Sequence, residues 1–242
     1  MKREYHKWWS NRLHREMELL VFGHSGDRML VFPTRNARFY EYENMRMIEA
    51  LQPKIEAGRL QVFCVDSIDC ESLYANWAHP SHRIGRHLAY EEYILNEVFP
   101  LMDCLNPGAK TISHGCSLGA YHAANMVFKH PHLFQRLIAF SGRYDLTEGV
   151  EWFADLFGGF YDDNIYFNTP LHFLPNLECE NRLRSLRETD MTFVIGEQDP
   201  FRANNERLSQ ILWQKNVPHD LKYWEDRAHR GYYWRRMAPV FI

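Results

Sequence analysis

Lys110-Thr111-Ile112-Ser113-His114-Gly115-Cys116-Ser117-Leu118-Gly119 reads as a short strand, a tight turn and the first residues of a helix that runs on through Phe128. The turn has the pattern G-x-S-x-G. A serine at the tip of a strand-to-helix turn stands clear of the backbone, and flanking glycines leave room where side chains would collide. The helix that begins at Leu118 turns its positive end toward the same point, which favours a negatively charged oxygen there. Ser117 is therefore the candidate nucleophile. Cys116 comes one residue early, with its side chain directed away from the tip, and is read as packing.

Outward from this unit, strands alternate with helices. Leu60–Val65, Arg136–Phe140, Met191–Ile195 and His219–Trp224 read as strands. Helical periodicity covers 43–57, with Met47, Ile48, Leu51 and Ile55 on one face and Gly58 as the stop, and also 84–105 and 204–214; a last helix begins at Tyr232. Near the start, Glu16–Phe22 and Met29–Pro33 flank His24-Ser25-Gly26-Asp27 and predict an antiparallel hairpin. The expected architecture is α/β: a mostly parallel, mixed sheet with helices on both faces, in one domain spanning 1–242. Residues 143–180 are irregular and rich in aromatics, and read as a cap-like insertion.

Composition narrows the function classes. With 28 Lys+Arg against 31 Asp+Glu, the formal charge of −3 offers no basic footprint for nucleic acid. No apolar run reaches membrane-spanning length, and Met1-Lys2-Arg3-Glu4-Tyr5-His6-Lys7-Trp8-Trp9 lacks the apolar core of a signal peptide, so a cytoplasmic location is expected. The five cysteines form no C-x-x-C pair. Among the 13 histidines, the closest pairs are His79/His82 and His130/His132; proline interrupts both, so no metal site is expected.

A serine hydroxyl needs a base. In a parallel sheet the site forms beyond the carboxyl ends of the strands, and in this turn architecture the acid and then the histidine follow the serine in the chain. His219 starts the last strand and lies at its wrong end. His229, in Glu225-Asp226-Arg227-Ala228-His229-Arg230-Gly231, lies at the right one. For the carboxylate that orients the base, Asp199 follows the strand ending at Ile195; Glu197, Asp145 and Asp226 are its rivals. An oxyanion would take the N–H of Leu118 and a second N–H from Thr34-Arg35-Asn36-Ala37, with Arg35 favoured and Thr34 close behind. The Arg35 side chain could also meet an anionic substrate.

Taken together, Leu30-Val31-Phe32-Pro33-Thr34, Tyr90-Glu91-Glu92-Tyr93-Ile94, the Gly115–Ala123 run, Phe140-Ser141-Gly142-Arg143-Tyr144-Asp145, Gly196-Glu197-Gln198-Asp199 and His229 with Trp234-Arg235-Arg236-Met237 resemble the putative-esterase branch of the α/β-hydrolases, which contains esterase D-like and feruloyl-esterase-like enzymes. The resemblance implies an α/β-hydrolase fold and cofactor-free hydrolysis of a small-molecule carboxylic ester, with Ser117, Asp199 and His229 at the triad positions. Two segments depart from it. Arg35-Asn36-Ala37 replaces the small or glycine residues usual in the first oxyanion loop, and Arg227-Ala228-His229-Arg230 replaces a Gly-Gly-His type of turn.

For the pocket, Trp152 and Phe157 of the insertion and Trp77 opposite it are the expected substrate-binding side chains. Acyl transfer or thioester hydrolysis on the same residues, and a catalytically silent binding protein of the same fold, are the competing readings. A homo-oligomeric state is left open.

Overall fold

The structure, a computed structural model, describes residues 1–242. Eight strands form one sheet: β1 (Arg3–Ser10), β2 (Arg15–Phe22), β3 (Asp27–Phe32), β4 (Leu60–Val65), β5 (Thr111–Cys116), β6 (Arg136–Phe140), β7 (Asp190–Gly196) and β8 (Asp220–Trp224). Their order across the sheet is β1-β2-β4-β3-β5-β6-β7-β8. From β4 to β8 every pairing is parallel; β1 with β2 and β2 with β4 are antiparallel. The helices are α1 (Glu41–Asn44), α2 (Met47–Glu56), α3 (Pro80–Tyr93), α4 (Phe99–Leu105), α5 (Leu118–Lys129), α6 (Asp163–Phe167), α7 (Pro170–Phe173), α8 (Glu180–Glu188), α9 (Arg202–Gln214) and α10 (Gly231–Phe241). None is long and apolar enough to cross a membrane. This is the α/β-hydrolase architecture, a mixed sheet between two helical layers.

The expected hairpin of β2 with β3 does not form. β4 lies between them, and the hairpin at this edge joins β2 to β1 instead. The reason is burial. β3 and the Leu19–Phe22 half of β2 that pairs with β4 are enclosed, as strands flanked on both sides are, whereas β1 alternates between exposed and half-buried residues as an edge strand does. Its Tyr5 and Trp9 point outward, which hides that alternation from a hydropathy reading.

The expected helix over 43–57 is broken at Arg46, whose φ of 60° separates α1 from α2. In contrast, the predicted long helix before β5 is continuous from Pro80 to Leu105 through a π-turn at Ile94–Val98.

β5 sits at the centre of the sheet, is buried throughout, and yet is not apolar. Most of its polar groups find partners inside the fold: Ser113 Oγ donates to the Ala123 carbonyl at 3.0 Å, and His114 Nδ1 donates to the Ile138 carbonyl at 2.7 Å, while His114 Nε2 has none. Burial pushes the His114 pKa down to about 4, so the ring is neutral and structural. Thr111, Ser113 and Gly115 share the face toward α5, and their small size lets that helix come close. A Cβ on Gly115 would lie 2.2 Å from the Gly119 main chain, and one on Gly119 would lie 2.3 Å from the Phe32 carbonyl oxygen. Gly119→Ala is therefore expected to destabilise the protein by about 3 kcal/mol or to prevent folding, because backbone must move to admit one methyl. Urea unfolding measures this, and a wild-type midpoint would show that the β3–α5 contact is looser than described.

Candidate active site

Ser117 adopts φ 56°, ψ −120°, a conformation L-residues avoid. Two contacts hold it there. The Ser117 N–H donates to the Phe140 carbonyl of β6 at 2.8 Å, and its carbonyl accepts from Ala120 N–H at 3.0 Å in the first turn of α5. The hydroxyl is thereby presented beyond the carboxyl end of β5.

His229 reaches it from the loop between β8 and α10. Nε2 of His229 lies 2.9 Å from Ser117 Oγ, and Nδ1 lies 2.8 Å from Asp199 Oδ2. A carboxylate only accepts, so Nδ1 carries the proton and Nε2 is left free to accept the serine hydroxyl proton. Three residues 82 and 30 positions apart in sequence thus share one hydrogen-bonded line.

The loop is pinned from several sides. Asp226 and Ala228 both have positive φ, and Gly196 admits the crossing chain: a Cβ there would meet the Arg227 carbonyl at 2.3 Å. Buried Ser141 donates through Oγ to the Ala228 carbonyl and accepts from Trp234 Nε1 at 3.1 Å. The His229 ring lies against Trp234, Phe201 and Phe153, with centroids 5.6, 5.9 and 6.4 Å away.

Asp199 is buried, and its second oxygen accepts the Phe201 N–H at 2.9 Å. The rival carboxylates are engaged elsewhere or point away. Asp145 binds the Thr147 and Glu148 N–H groups and His172. Asp226 accepts from the Tyr233 hydroxyl. Glu197 is exposed. His219 contacts Ser209 and the Val217 carbonyl, a structural position.

The loop after β3 is fixed by two carboxylates, the half-buried Glu41 and the buried Asp69. Glu41 accepts the Thr34 N–H at 2.8 Å, and Asp69 accepts the Asn36 N–H at 2.9 Å and contacts His122 Nε2 at 3.3 Å. The Ala37 N–H donates to the Thr34 carbonyl. Within Thr34–Ala37 the N–H of Arg35 alone has no acceptor in the protein, and the N–H of Leu118, at the start of α5, has none either. Thr34, close behind in the sequence reading, has its N–H already occupied.

A cleft of about 220 Å³ opens over Ser117. Thr34, Arg35, Leu118 and His229 line it together with Tyr74, Arg143, Phe153, Phe201 and Trp234. The three expected pocket side chains lie elsewhere. Trp77 is 79% exposed and away from the cleft. Phe157 is 2% exposed and packs with Leu73, Ile84, Leu118 and Tyr121 behind the wall. Trp152 is 70% exposed and sits on the neighbouring rim under the Arg227 guanidinium, 4.4 Å from its ring centroid. An aromatic-rich segment must bury some rings simply to fold, and sequence does not say which.

Tyr74, Phe201, Glu41 and Asp69 carry no motif that sequence reading could isolate. Asp69 did have a signal: it lies just past the carboxyl end of β4, where sites form in such sheets.

A protein-family model described as "Putative esterase" matches residues 36–237. The sequence finds no match among curated proteins. Solved structures do match. A ferulic acid esterase superposes with TM-score 0.78 at 15% identity, covering 99% of this chain and 96% of that one. The fluorophosphonate-binding serine hydrolase FphF of Staphylococcus aureus gives 0.74 at 17%, covering 99% and 97%. An S-formylglutathione hydrolase of Agrobacterium tumefaciens gives 0.74 at 13%, covering 98% and 92%.

Proposed function

The chain belongs to the putative-esterase family of α/β-hydrolases, and from that premise we propose that it hydrolyses small-molecule carboxylic esters through an acyl-enzyme on Ser117. The observation that carries this reading is the line Ser117 Oγ–His229–Asp199, with hydrogen-bond lengths of 2.9 and 2.8 Å. His229 takes the hydroxyl proton as Oγ attacks the ester carbonyl. The negative charge that develops on the carbonyl oxygen is met by the two unpaired N–H groups of Arg35 and Leu118 at the positive end of α5. Asp199 holds the imidazolium that forms and keeps its ring in place. His229 then returns the proton to the departing alkoxide. A water, deprotonated by the same ring, repeats the sequence to free the acid and regenerate Ser117. No step asks for a cofactor.

The segment 143–180 serves as the cap in this reading. Through Phe153 it supplies an apolar wall, with Phe201 and Trp234 completing the aromatic surround of the imidazole. Thioester cleavage is the second reading. It would use the same residues, and S-formylglutathione hydrolases are among the structures of the same fold.

The test is covalent trapping. A fluorophosphonate is expected to add one adduct per chain, mapped by mass spectrometry to Ser117, and 4-nitrophenyl butyrate to give a burst of nitrophenolate or steady turnover. Failure of both would leave a silent binding protein as the better account. Transfer of the acyl group to an added alcohol in preference to water would recast it as an acyltransferase.

A further inference from the structure

We propose that the cleft over Ser117 contains an anion subsite, centred on the Arg35 side chain and backed by Arg143, so that the favoured ester carries a carboxylate or a comparably compact anion. The inference rests on Ser117 being the nucleophile and names the class of substrate it meets.

Both guanidiniums line the same cleft as Ser117 and His229. Neither has a carboxylate partner within 4.0 Å, whereas Arg38 pairs with Asp66 at 2.7 Å, Arg86 with Glu71 at 2.7 Å, and Arg28 with Asp103, although all three are more exposed than Arg143; Arg35 itself is exposed at the mouth of the cleft. Arg143 is the sharper case because it is 4% exposed. Its Nε and Nη2 donate only to main-chain carbonyls, those of Asp145, Leu146, Glu148 and Ala154. Carbonyl dipoles solvate a guanidinium without neutralising it, and burial pushes its pKa below the ordinary value. A buried, unneutralised cation beside a reactive serine is costly unless a ligand anion meets it.

Arg35 is preorganised over the cleft. Its guanidinium lies over the Tyr74 ring at 5.4 Å and the Phe153 ring at 5.9 Å, which orients the side chain without neutralising its charge. Tyr74 is within reach of both cations: each opposes the rise in its phenol pKa that burial causes. Behind the wall Arg83 also lacks a carboxylate partner; it donates to the Leu73 carbonyl and lies over the Phe157 ring. Asp155 acts electrostatically on Arg83 and Arg143, and Asp145 on Arg143, but neither carboxylate ion-pairs with these cations: the Asp155 oxygens accept the Phe157 and Gly159 N–H groups at 2.7 Å, and Asp145 is held by Thr147, Glu148 and His172. The side chains that line the cleft therefore include two guanidiniums and no carboxylate, in a chain whose formal charge is −3. Planar guanidinium donors suit carboxylate geometry.

Two matched substrate pairs test this and locate the anion. Mono-4-nitrophenyl adipate against methyl 4-nitrophenyl adipate places the charge on the acyl side. 4-Carboxyphenyl butyrate against 4-carbamoylphenyl butyrate places it on the leaving group. In at least one pair the wild-type protein is expected to favour the anion in kcat/KM by about tenfold or more, and less so in high salt. Arg35→Gln keeps the main-chain N–H, so the readout is the anion-to-neutral ratio within each variant; the ratio is expected to fall toward unity, and to invert in Arg35→Glu. Neutral esters cleaved at least as well as anionic ones in both pairs, or a preference that survives both Arg35 variants, would overturn the subsite and leave the esterase reading standing. Cleavage of no ester in either pair, with no fluorophosphonate adduct, would overturn the esterase reading and the subsite with it.

Discussion

Ser117→Ala and His229→Ala are each expected to lower kcat on 4-nitrophenyl butyrate by about 10⁵- to 10⁶-fold, and the double variant by hardly more than either alone. The two side chains perform one act. The hydroxyl is nucleophilic only while Nε2, 2.9 Å away, receives its proton, and the imidazole has nothing to deprotonate once Oγ is gone. What survives in either variant is the binding energy of the cleft and the pull of the Arg35 and Leu118 N–H groups on the carbonyl oxygen, so a residual rate about 10³-fold above water is expected. Neither change should unfold the protein. Alanine at 117 retains the same Cβ in the same strained φ, and the His229 ring lies half-buried at the cleft, so its loss exposes aromatic faces already bordering solvent. Steady-state kinetics beside a urea titration separates the two effects. A Ser117→Ala protein that keeps even a hundredth of wild-type turnover, after mass spectrometry excludes contaminating wild type, would place the nucleophile elsewhere.

The legible parts of the sequence were those where local chemistry and global position agree. Gly115-Cys116-Ser117-Leu118-Gly119 could be read because the turn needs its glycines for the contacts found at the Gly119 backbone and the Phe32 carbonyl. His229 and Asp199 could be read because parallel strands present their carboxyl ends to one edge, and each residue follows such an end. The hairpin failed for a different kind of reason. Nothing local distinguishes two buried strands joined by a glycine turn from two buried strands with a third between them; a strand more than 25 residues later decides it. The pocket aromatics failed likewise. Phe153 lines the cleft and Phe157, four residues on, is buried behind it, yet both are phenylalanines in an irregular segment with no period to tell them apart. Glu41 and Asp69 act at one remove. They orient a loop whose third member, Arg35, keeps its N–H free, and that division of donors is visible only when all the acceptors are in place.

Asp199→Asn is expected to lower kcat by about 10⁴-fold at neutral pH with little change in fold. The two oxygens of Asp199 have different partners. Oδ1 accepts the Phe201 N–H at 2.9 Å, and Oδ2 accepts the proton on His229 Nδ1 at 2.8 Å. An asparagine in this place must direct its carbonyl oxygen to Phe201, because its NH2 group cannot accept. The NH2 then faces Nδ1 and donates to it, so the imidazole proton moves to Nε2 and points at Ser117 Oγ. The base is thereby blocked in the wrong tautomer although every atom keeps its place. Asp145→Asn should behave in the opposite way. Burial alone would raise the pKa of this carboxyl, but hydrogen bonds from His172 and Thr147 hold it well below the usual carboxylate range. A depressed folded-state pKa stabilises the fold above the ordinary carboxylate pKa, and this contribution fades as pH falls through that range toward the folded value. The asparagine variant should lose about 1–3 kcal/mol at neutral pH, with a smaller loss in acid, while kcat stays within a few-fold of wild type. The pair of variants thus separates a carboxylate that orients the base from one that secures the chain after β6. Near-normal turnover in Asp199→Asn with collapse in a folded Asp145→Asn would transfer the acid role to Asp145, and would require the 2.8 Å contact between His229 and Asp199 to be incidental to the chemistry.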